Sequence, residues 1–328
     1  RGFTLGSGGG TVDVSEAGQT LTLSGTATGA YAFTKAGAGN LAFSTANALS
    51  AAGSVTVAAG DLQVGAWTLG LNKTNTLNAG ATFTSTGSVQ IPASTFISAA
   101  GNFSTLVAGA GTWRLRAANT SAATPDIYAP NDDLDRWGIR ITAPIDTGNS
   151  GTSRYVAGFS QNCNPCTRNS AHGGDLIFAG SLMGAGNLCF FGTPRAATLV
   201  EMAFMLNADN SGFTGGVTLG RGELFLNNAK ALTAANSVLL APEAGFNATL
   251  RAWNTNVTVG ALSSGGTGKA SVVGTGPRAA LTVAQDTDST FGGALTQQNA
   301  VGGSYASGST LSFTKDGTGV LTLEGINT

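Results

Sequence analysis

The chain has 328 residues, 49 of them glycine, with 16 Lys or Arg, 17 Asp or Glu and a single His, for a formal net charge of -1. Charged residues make up 10% of it, against about 25% in ordinary globular domains, so no electrostatic footprint exists for a nucleic-acid backbone or an anionic lipid surface. No run of about eighteen consecutive apolar residues occurs, which excludes a transmembrane helix.

Polarity comes instead from Thr, Ser, Asn and Gly, and strong helix formers such as Glu and Lys are scarce, so the chain is expected to be almost all β. Arg1-Gly2-Phe3 brings neither an initiator Met nor a signal-peptide hydrophobic region, so a processed or trimmed piece is expected. Between Gly8 and Ser44, apolar residues alternate with period two at Thr11 to Val14, Thr20 to Leu23 and Leu41 to Phe43, which predicts three short strands. The scheme returns at Val55-Thr56-Val57, Leu62-Gln63-Val64, Ala81-Thr82-Phe83 and Ser88 to Ile91.

One phrase, Gly-x-Gly followed by alternating apolar residues, recurs five times: AGAGNLAF from Ala36, AGAGTWRL from Ala108, MGAGNLCF from Met183, LGRGELFL from Leu219 and DGTGVLTL from Asp316. Its glycines permit a turn at positive φ and its alternation launches a strand, so each copy predicts a turn followed by a strand. A coil with one apolar face cannot bury it alone. Stacking successive coils about 4.8 Å apart joins those faces into one core, which favours a parallel β-helix over a sandwich or barrel. At about 20 to 29 residues per coil, the chain would hold on the order of 11 to 16 coils. The uneven spacing of the copies implies divergent or interrupted coils between them.

The largest interruption is expected at 117–179, as an irregular loop excursion between coils at 1–116 and 180–328. It lacks the phrase and gathers the acidic cluster, the sole His and a Cys-x-x-Cys. Asn131, Asp133 and Asp135, with Asp126 upstream, could wrap a calcium ion. Against this, Arg136 stands where the best-known calcium loop has glycine, and no Glu follows at its twelfth position; the alternative is a solvated acidic turn paired with Arg136 or Arg140. Asp286 and Asp288 form a second, weaker acidic pair. Cys163 and Cys166 read first as a small disulfide loop, next as half a zinc site with His172 and Cys189, and last as a redox pair. Cys189 lies inside a strand phrase and reads as a buried apolar residue. Asp126, Asp132, Asp133 and Asp135 with Arg136 and Arg140 are the only dense set that could serve glycoside chemistry. Trp137, Tyr128 and Tyr155 could stack on sugars or pin the excursion to the wall. No GxSxG or phosphate-binding loop occurs, so no catalytic residue is assigned and no cofactor beyond the calcium candidate.

From Val257 onward the pattern is most regular. Phe291-Gly292-Gly293-Ala294-Leu295, followed by Lys315-x-Gly317-x-Gly319-x-Leu321-Thr322-Leu323-x-Gly325-x-Asn327-Thr328, resembles the autotransporter-associated β-strand repeat family. A second rendering is Leu21 to Gly25 with Lys35-x-Gly37-x-Gly39-Asn40-Leu41. The resemblance covers about 1–64 and 207–328. It implies a right-handed parallel β-helix and export to the bacterial cell surface or beyond; the C-terminal membrane barrel of autotransporters has no counterpart in this sequence.

In that family the closing Asn-Thr is normally followed by Tyr or Phe, then Thr or Ser, then Gly and another short strand. Here the chain begins Arg1-Gly2-Phe3-Thr4, close to the internal Gly212-Phe213-Thr214. The start of one copy could complete the end of another, and open solenoid ends leave unpaired strand edges. Gly2, Phe3, Thr4, Leu321, Leu323, Asn327 and Thr328 are therefore the expected assembly ends. The function expected is a non-enzymatic, extracellular structural module that joins copies of itself head to tail. The alternatives are an adhesin that binds a glycan or protein through 117–179, and a carbohydrate-active enzyme.

Overall fold

The computed structural model describes residues 1–50, 52–68, 75–91, 103–118, 121–130, 138–160, 176–194, 202–297 and 309–325. Among the described residues there is no helix, and every strand pairing is parallel apart from one isolated antiparallel bridge between Gly6 and Gly9. The arrangement is all-β and compatible with a β-solenoid. No helix of the described residues is long and apolar enough to cross a membrane.

The chain winds in laps, and each strand pairs with the strand that occupies the same face one lap later. Among the described residues the first face carries twelve strands in unbroken order, from Gly10–Asp13, Ala32–Ala36 and Ser54–Val57 to Lys269–Thr275 and Ala294–Gln297, and the second face is a seven-stranded sheet from Thr20–Leu23 to Leu182–Met183. In the last laps its place in chain order, between first-face and third-face strands, is taken by Asn256–Val259, Ala280–Ala284 and Ser312–Asp316. The third face runs from Trp67–Thr68 through Ser153–Ser160 and Asn187–Pro194 to Ala261–Ser264. Hydrogen bonds between neighbouring laps span 20 residues at Val55 and Asn75 and 37 at Ala117 and Arg154. The longest laps exceed the expected coil length.

Alternation explains the core. On the second face the inward column reads Leu41, Leu62, Phe83, Trp113, Ile145 and Leu182, each aligned with the next and each 3% exposed or less. Burying such a side chain contributes about 1.5–3 kcal/mol, but only because the laps above and below cover it. Ring contacts run through the interior: Trp67 and Phe83 centroids lie 5.4 Å apart, Phe83 and Trp113 5.6 Å, and Phe190 and Phe204 5.0 Å. Several polar interior groups find partners. Trp113 Nε1 donates to Ser85 Oγ at 3.0 Å. Asn210 accepts from Leu182 N and donates to Ala231 O, so its amide bridges laps where no strand does.

The segment 117–179 differs from the expected irregular excursion. It contains strands Ile127–Pro130, Gly138–Ile141, Ile145–Asp146, Ser153–Ser160 and Leu176–Phe178, all aligned with the laps on either side. A strand needs only an alternating apolar column, which Ile127, Ile139, Ile141, Ile145, Val156, Leu176 and Phe178 supply, all nearly inaccessible. The glycine phrase serves corners, so a segment without it can still form strands. A second departure is an apolar patch on the outward side of the first face: Ile177, Ala203, Met205, Phe225 and Trp253 form their own buried cluster, beside the Glu223–Arg251 ion pair at 2.6 Å.

Candidate functional site

The repeated phrase builds the corners between faces, and both of its glycines lie against the lap before, a Cβ on Gly37 falling 2.3 Å from Val14 O, while the first also takes left-handed backbone. Gly37 and Gly317 sit at φ +77 and +79, where a residue with a Cβ is strained. Gly39 and Gly319 press on the lap before: a Cβ on Gly39 would lie 2.4 Å from Glu16 O, and one on Gly319 2.4 Å from Thr287 O. The same phrase serves every kind of corner. The copies at Ala36 and Ala108 lead from first to second face, that at Met183 from second to third, and that at Asp316 between the faces of Ser312–Asp316 and Leu321–Leu323. The copy at Leu219 is not a turn followed by a strand. It lies inside one strand, Val217–Leu226, which pairs on the third face before Gly222 and on the first face from it. Copies that can occupy different corners cannot be evenly spaced, which accounts for the irregular interval in the sequence.

Two of these corners carry a lysine to which sequence reasoning assigns no role. Alternation in Phe33-Thr34-Lys35 puts Lys35 on the same inward face as Phe33, and Lys35 is aligned with Val12 and Val57 in the neighbouring laps. Its side chain is 0% exposed. Nζ donates to Ala36 O at 2.7 Å, Gly37 O at 2.8 Å and Ala59 O at 3.0 Å. Burial pushes its pKa below the usual lysine value, partly offset by Asp13 and Asp61. The signal that could have found it is an isolated lysine at an inward position two residues before Gly-x-Gly.

The expected assembly ends lie at opposite ends of the pairing order. At one end Phe3–Thr4 pairs with Ala27–Thr28, and the Phe3 ring lies 5.9 Å from that of Phe33. Gly2 packs against Thr26, whose carbonyl a Cβ there would meet at 2.7 Å. At the other end Leu321 and Leu323 align with Ser289 and Phe291. Asn327 and Thr328 lie outside the described residues. Among the described residues, the strands Gly10–Asp13 and Thr20–Leu23 are paired on one edge alone, and so are Ser312–Asp316 and Leu321–Leu323. Inward residues on these strands are correspondingly more exposed than their aligned neighbours. Leu21 is 41% exposed although its aligned neighbour Leu41 is 0%, and Leu323 is 39% exposed against 0% for Phe291.

Asn131, Asp133 and Asp135 lie outside the described residues, as do Cys163, Cys166, Asp132, Arg136, Trp137 and His172. Among the described residues no three His, Cys, Asp or Glu side chains gather as a metal would require. Asp126 is wholly buried, 3.4 Å from Arg154 Nη1, and accepts from Tyr155 N at 2.9 Å; Arg154 also reaches Thr147 O and Ala117 O. This carboxylate holds laps together inside the wall. Asp286 and Asp288 do likewise near the surface, accepting the backbone N–H of Thr318 and Val320. Arg140 is exposed. Tyr155 stacks on Phe191 at 6.0 Å, on the outer side of the third face. Cys189 is a buried free thiol on that side too, aligned with Tyr155 and Thr218, and burial raises its pKa. An internal gap between laps is lined by Val55, Val57, Leu62, Trp67, Asn75, Leu77 and Phe83. That lining is part of the apolar core and lacks the converging polar groups of a ligand site. No protein-family model, curated protein or solved structure matches this chain.

Proposed function

We propose that this chain is a structural module of a bacterial extracellular fibre or matrix, a right-handed parallel β-helix of the autotransporter-associated repeat type whose terminal laps join head to tail with further copies. The observation that supports the reading is the stack itself: successive laps join by parallel strands over one inward apolar column, Leu41, Leu62, Phe83, Trp113, Ile145 and Leu182 on the second face, and the same pairing extends to further laps without altering any existing contact. Among the described residues Leu21 is 41% and Leu323 39% exposed, each on a strand paired on one edge alone, and a parallel lap laid there would cover them.

An internal segment supports the same reading. Gly212-Phe213-Thr214 repeats the Gly-Phe-Thr of Gly2-Phe3-Thr4. Inside the stack, Phe213 is 0% exposed and bridges in parallel to Gly184 of the third glycine phrase. The mechanical role follows from rung-to-rung hydrogen bonds and a continuous apolar column, while 10% charged residues keep repulsion between copies small.

Sedimentation velocity and negative-stain microscopy of the purified chain over a concentration series test the proposal. Linear polymers are expected, and Leu21→Lys or Leu323→Lys, which places a charge in the junction, should leave folded monomers. A wild-type chain that stays monomeric at every concentration, or lysine variants that polymerise like wild type, would overturn it.

A further inference from the structure

The corner Asp146-Thr147-Gly148, in the middle of the stack, gathers two arginines from different laps, each fixed by acceptors of its own. Arg116 follows the second-face strand Thr112–Leu115. Its Nη1 donates to Leu115 O at 2.8 Å and Asp146 O at 3.3 Å, and its Nη2 to Asp146 Oδ2 at 2.6 Å. Arg154 stands on the third-face strand Ser153–Ser160, aligned with the buried Leu188. Its Nε donates to Thr147 O at 3.0 Å, and its Nη1 to Ala117 O at 2.7 Å and Asp126 Oδ1 at 3.4 Å. The two guanidiniums meet over Gly148, where a Cβ would lie 3.2 Å from Arg116 Nη1 and 3.4 Å from Arg154 Nη2.

Donor capacity is left over there. A guanidinium carries five N–H donors, and the bonds of Arg154 use three of them. Among the described residues its Nη2 meets no acceptor, although the side chain is only 7% exposed. Arg116 likewise keeps Nε and one Nη2 proton uncommitted among the described residues. Its side chain is 34% exposed and the neighbouring Asn149 and Ser150 are exposed, so the notch opens to solvent. We propose that the notch between Arg116 and Arg154 over Gly148 binds an oxyanion, a carboxylate or sulfate group that is either free in solution or carried on an acidic polysaccharide. The site lies wholly within the stack and is independent of head-to-tail assembly.

Two like charges aimed at one point repel unless an anion lies between them. Carbonyls of Leu115, Ala117, Asp146 and Thr147 hold both guanidiniums in that arrangement, so the donors are placed before any ligand arrives and little ordering cost remains. Their planar forks match the paired oxygens of a carboxylate or sulfate. The two carboxylates of the corner do not fill the role. Asp146 Oδ1 accepts from Gly148 N at 2.8 Å and its Oδ2 from Arg116, while Asp126 meets Arg154 through Nη1. They balance the two positive charges, so the notch selects by hydrogen-bond geometry rather than by net attraction, which suits a chain whose formal net charge is -1. Gly148 keeps the space open, since a side chain at that position would occupy it.

Thermal melting with sodium sulfate, polygalacturonate or neutral dextran at matched ionic strength tests this in wild type and three variants. Gly148→Ala fills the notch and leaves both arginines, Arg116→Gln removes one wall, and Gly151→Ala repeats the left-handed strain at φ +80 where a Cβ meets no atom within 4 Å. Sulfate stabilises folded proteins in general by exclusion from their surface, so the difference between variants is the readout. A saturable rise is expected in wild type and Gly151→Ala, with half-saturation at about tenfold or more higher concentration in Gly148→Ala and Arg116→Gln, in line with the loss of one charge-assisted bond. Polygalacturonate acting at lower concentration than sulfate identifies the polysaccharide as the source of the oxyanion, and sulfate acting alone identifies a free anion. In unaltered protein, the arginine-selective reagent phenylglyoxal, read by mass spectrometry, should modify Arg116 more slowly when sulfate is present. The site falls if neither anion gives a saturable rise in wild type, if neutral dextran gives the same rise, if Gly148→Ala responds like Gly151→Ala, or if sulfate leaves the labelling of Arg116 unchanged.

Discussion

Replacing Gly39 by alanine isolates the close-approach task of the second glycine in the repeated corner. The added Cβ would lie 2.4 Å from Glu16 O, 2.7 Å from Val14 Cγ1 and 2.9 Å from Gln19 O, closer than real Cβ contacts come. The preceding lap must retreat, and the Gly39 N to Val14 O bond at 2.8 Å is the first to lengthen. Overpacking costs about 1–3 kcal/mol and a lost hydrogen bond about 1 kcal/mol, so Gly39→Ala should destabilise by about 2–4 kcal/mol. Two controls separate sterics from backbone strain. Gly18 has φ +79, and a Cβ there would meet no atom within 4 Å, so Gly18→Ala should cost about 1 kcal/mol from the left-handed backbone alone. Gly65 has neither constraint, and Gly65→Ala should be neutral or stabilise by about 0.4–1 kcal/mol through the unfolded chain. Equilibrium urea unfolding gives the order, and hydrogen exchange at the Gly39 amide shows whether the loss is local. Should Gly39→Ala prove no less stable than Gly18→Ala, close stacking of laps is not why that glycine is there.

Asp126→Ala should destabilise by about 3–5 kcal/mol, because it strands the buried Arg154 guanidinium; urea unfolding measures it, and a loss under about 1 kcal/mol would mean the pair is not desolvated in solution. Cys189 yields a prediction about pH. Its thiol pKa is raised by burial from the ordinary 9.0, so the unfolded chain gives up that proton first and stability falls as pH climbs past 9.0 towards the folded value. Cys189→Ala should flatten that alkaline decline in melting temperature, and an equally steep decline in the variant would refute the assignment.

Alternation makes the strands legible, since period two depends only on neighbouring residues: Thr20–Leu23, Ser54–Val57 and Asp61–Val64 lie where it places them. Four of the five Gly-x-Gly copies are legible as turns for the same reason, the copy at Leu219 lying within the strand Val217–Leu226. Which corner each copy occupies is not, because first-to-second and second-to-third corners use one phrase. The strands within 117–179 escape a reading that follows the repeated phrase, although Ile139 and Ile141 alternate as well as any pair in the chain. Phe225 and Met205 escape for the opposite reason, since alternation sends them outward and only the surrounding structure buries them. Of the candidate site, the likeness of Gly2-Phe3-Thr4 to Gly212-Phe213-Thr214 is visible. The carbonyl cluster around Lys35 is not, because a buried lysine is disfavoured until its acceptors are known.

By itself the sequence determined that this chain is built of short β-strands joined by glycine corners and that its units resemble one another, because those properties follow from local backbone freedom and period-two burial. Tertiary structure decided which strands are neighbours, how long each lap is, and what the inward polar groups do. Lap length cannot be read locally: the lap joined at Val55 and Asn75 and the one joined at Ala117 and Arg154 differ in length, yet both meet the same stacking distance. Lys35 and Asn210 look like isolated polar residues in the sequence, and Asp126 like part of an acidic cluster. Each becomes structural only when a neighbouring lap brings a backbone group within hydrogen-bond reach, and that approach is a property of the stack.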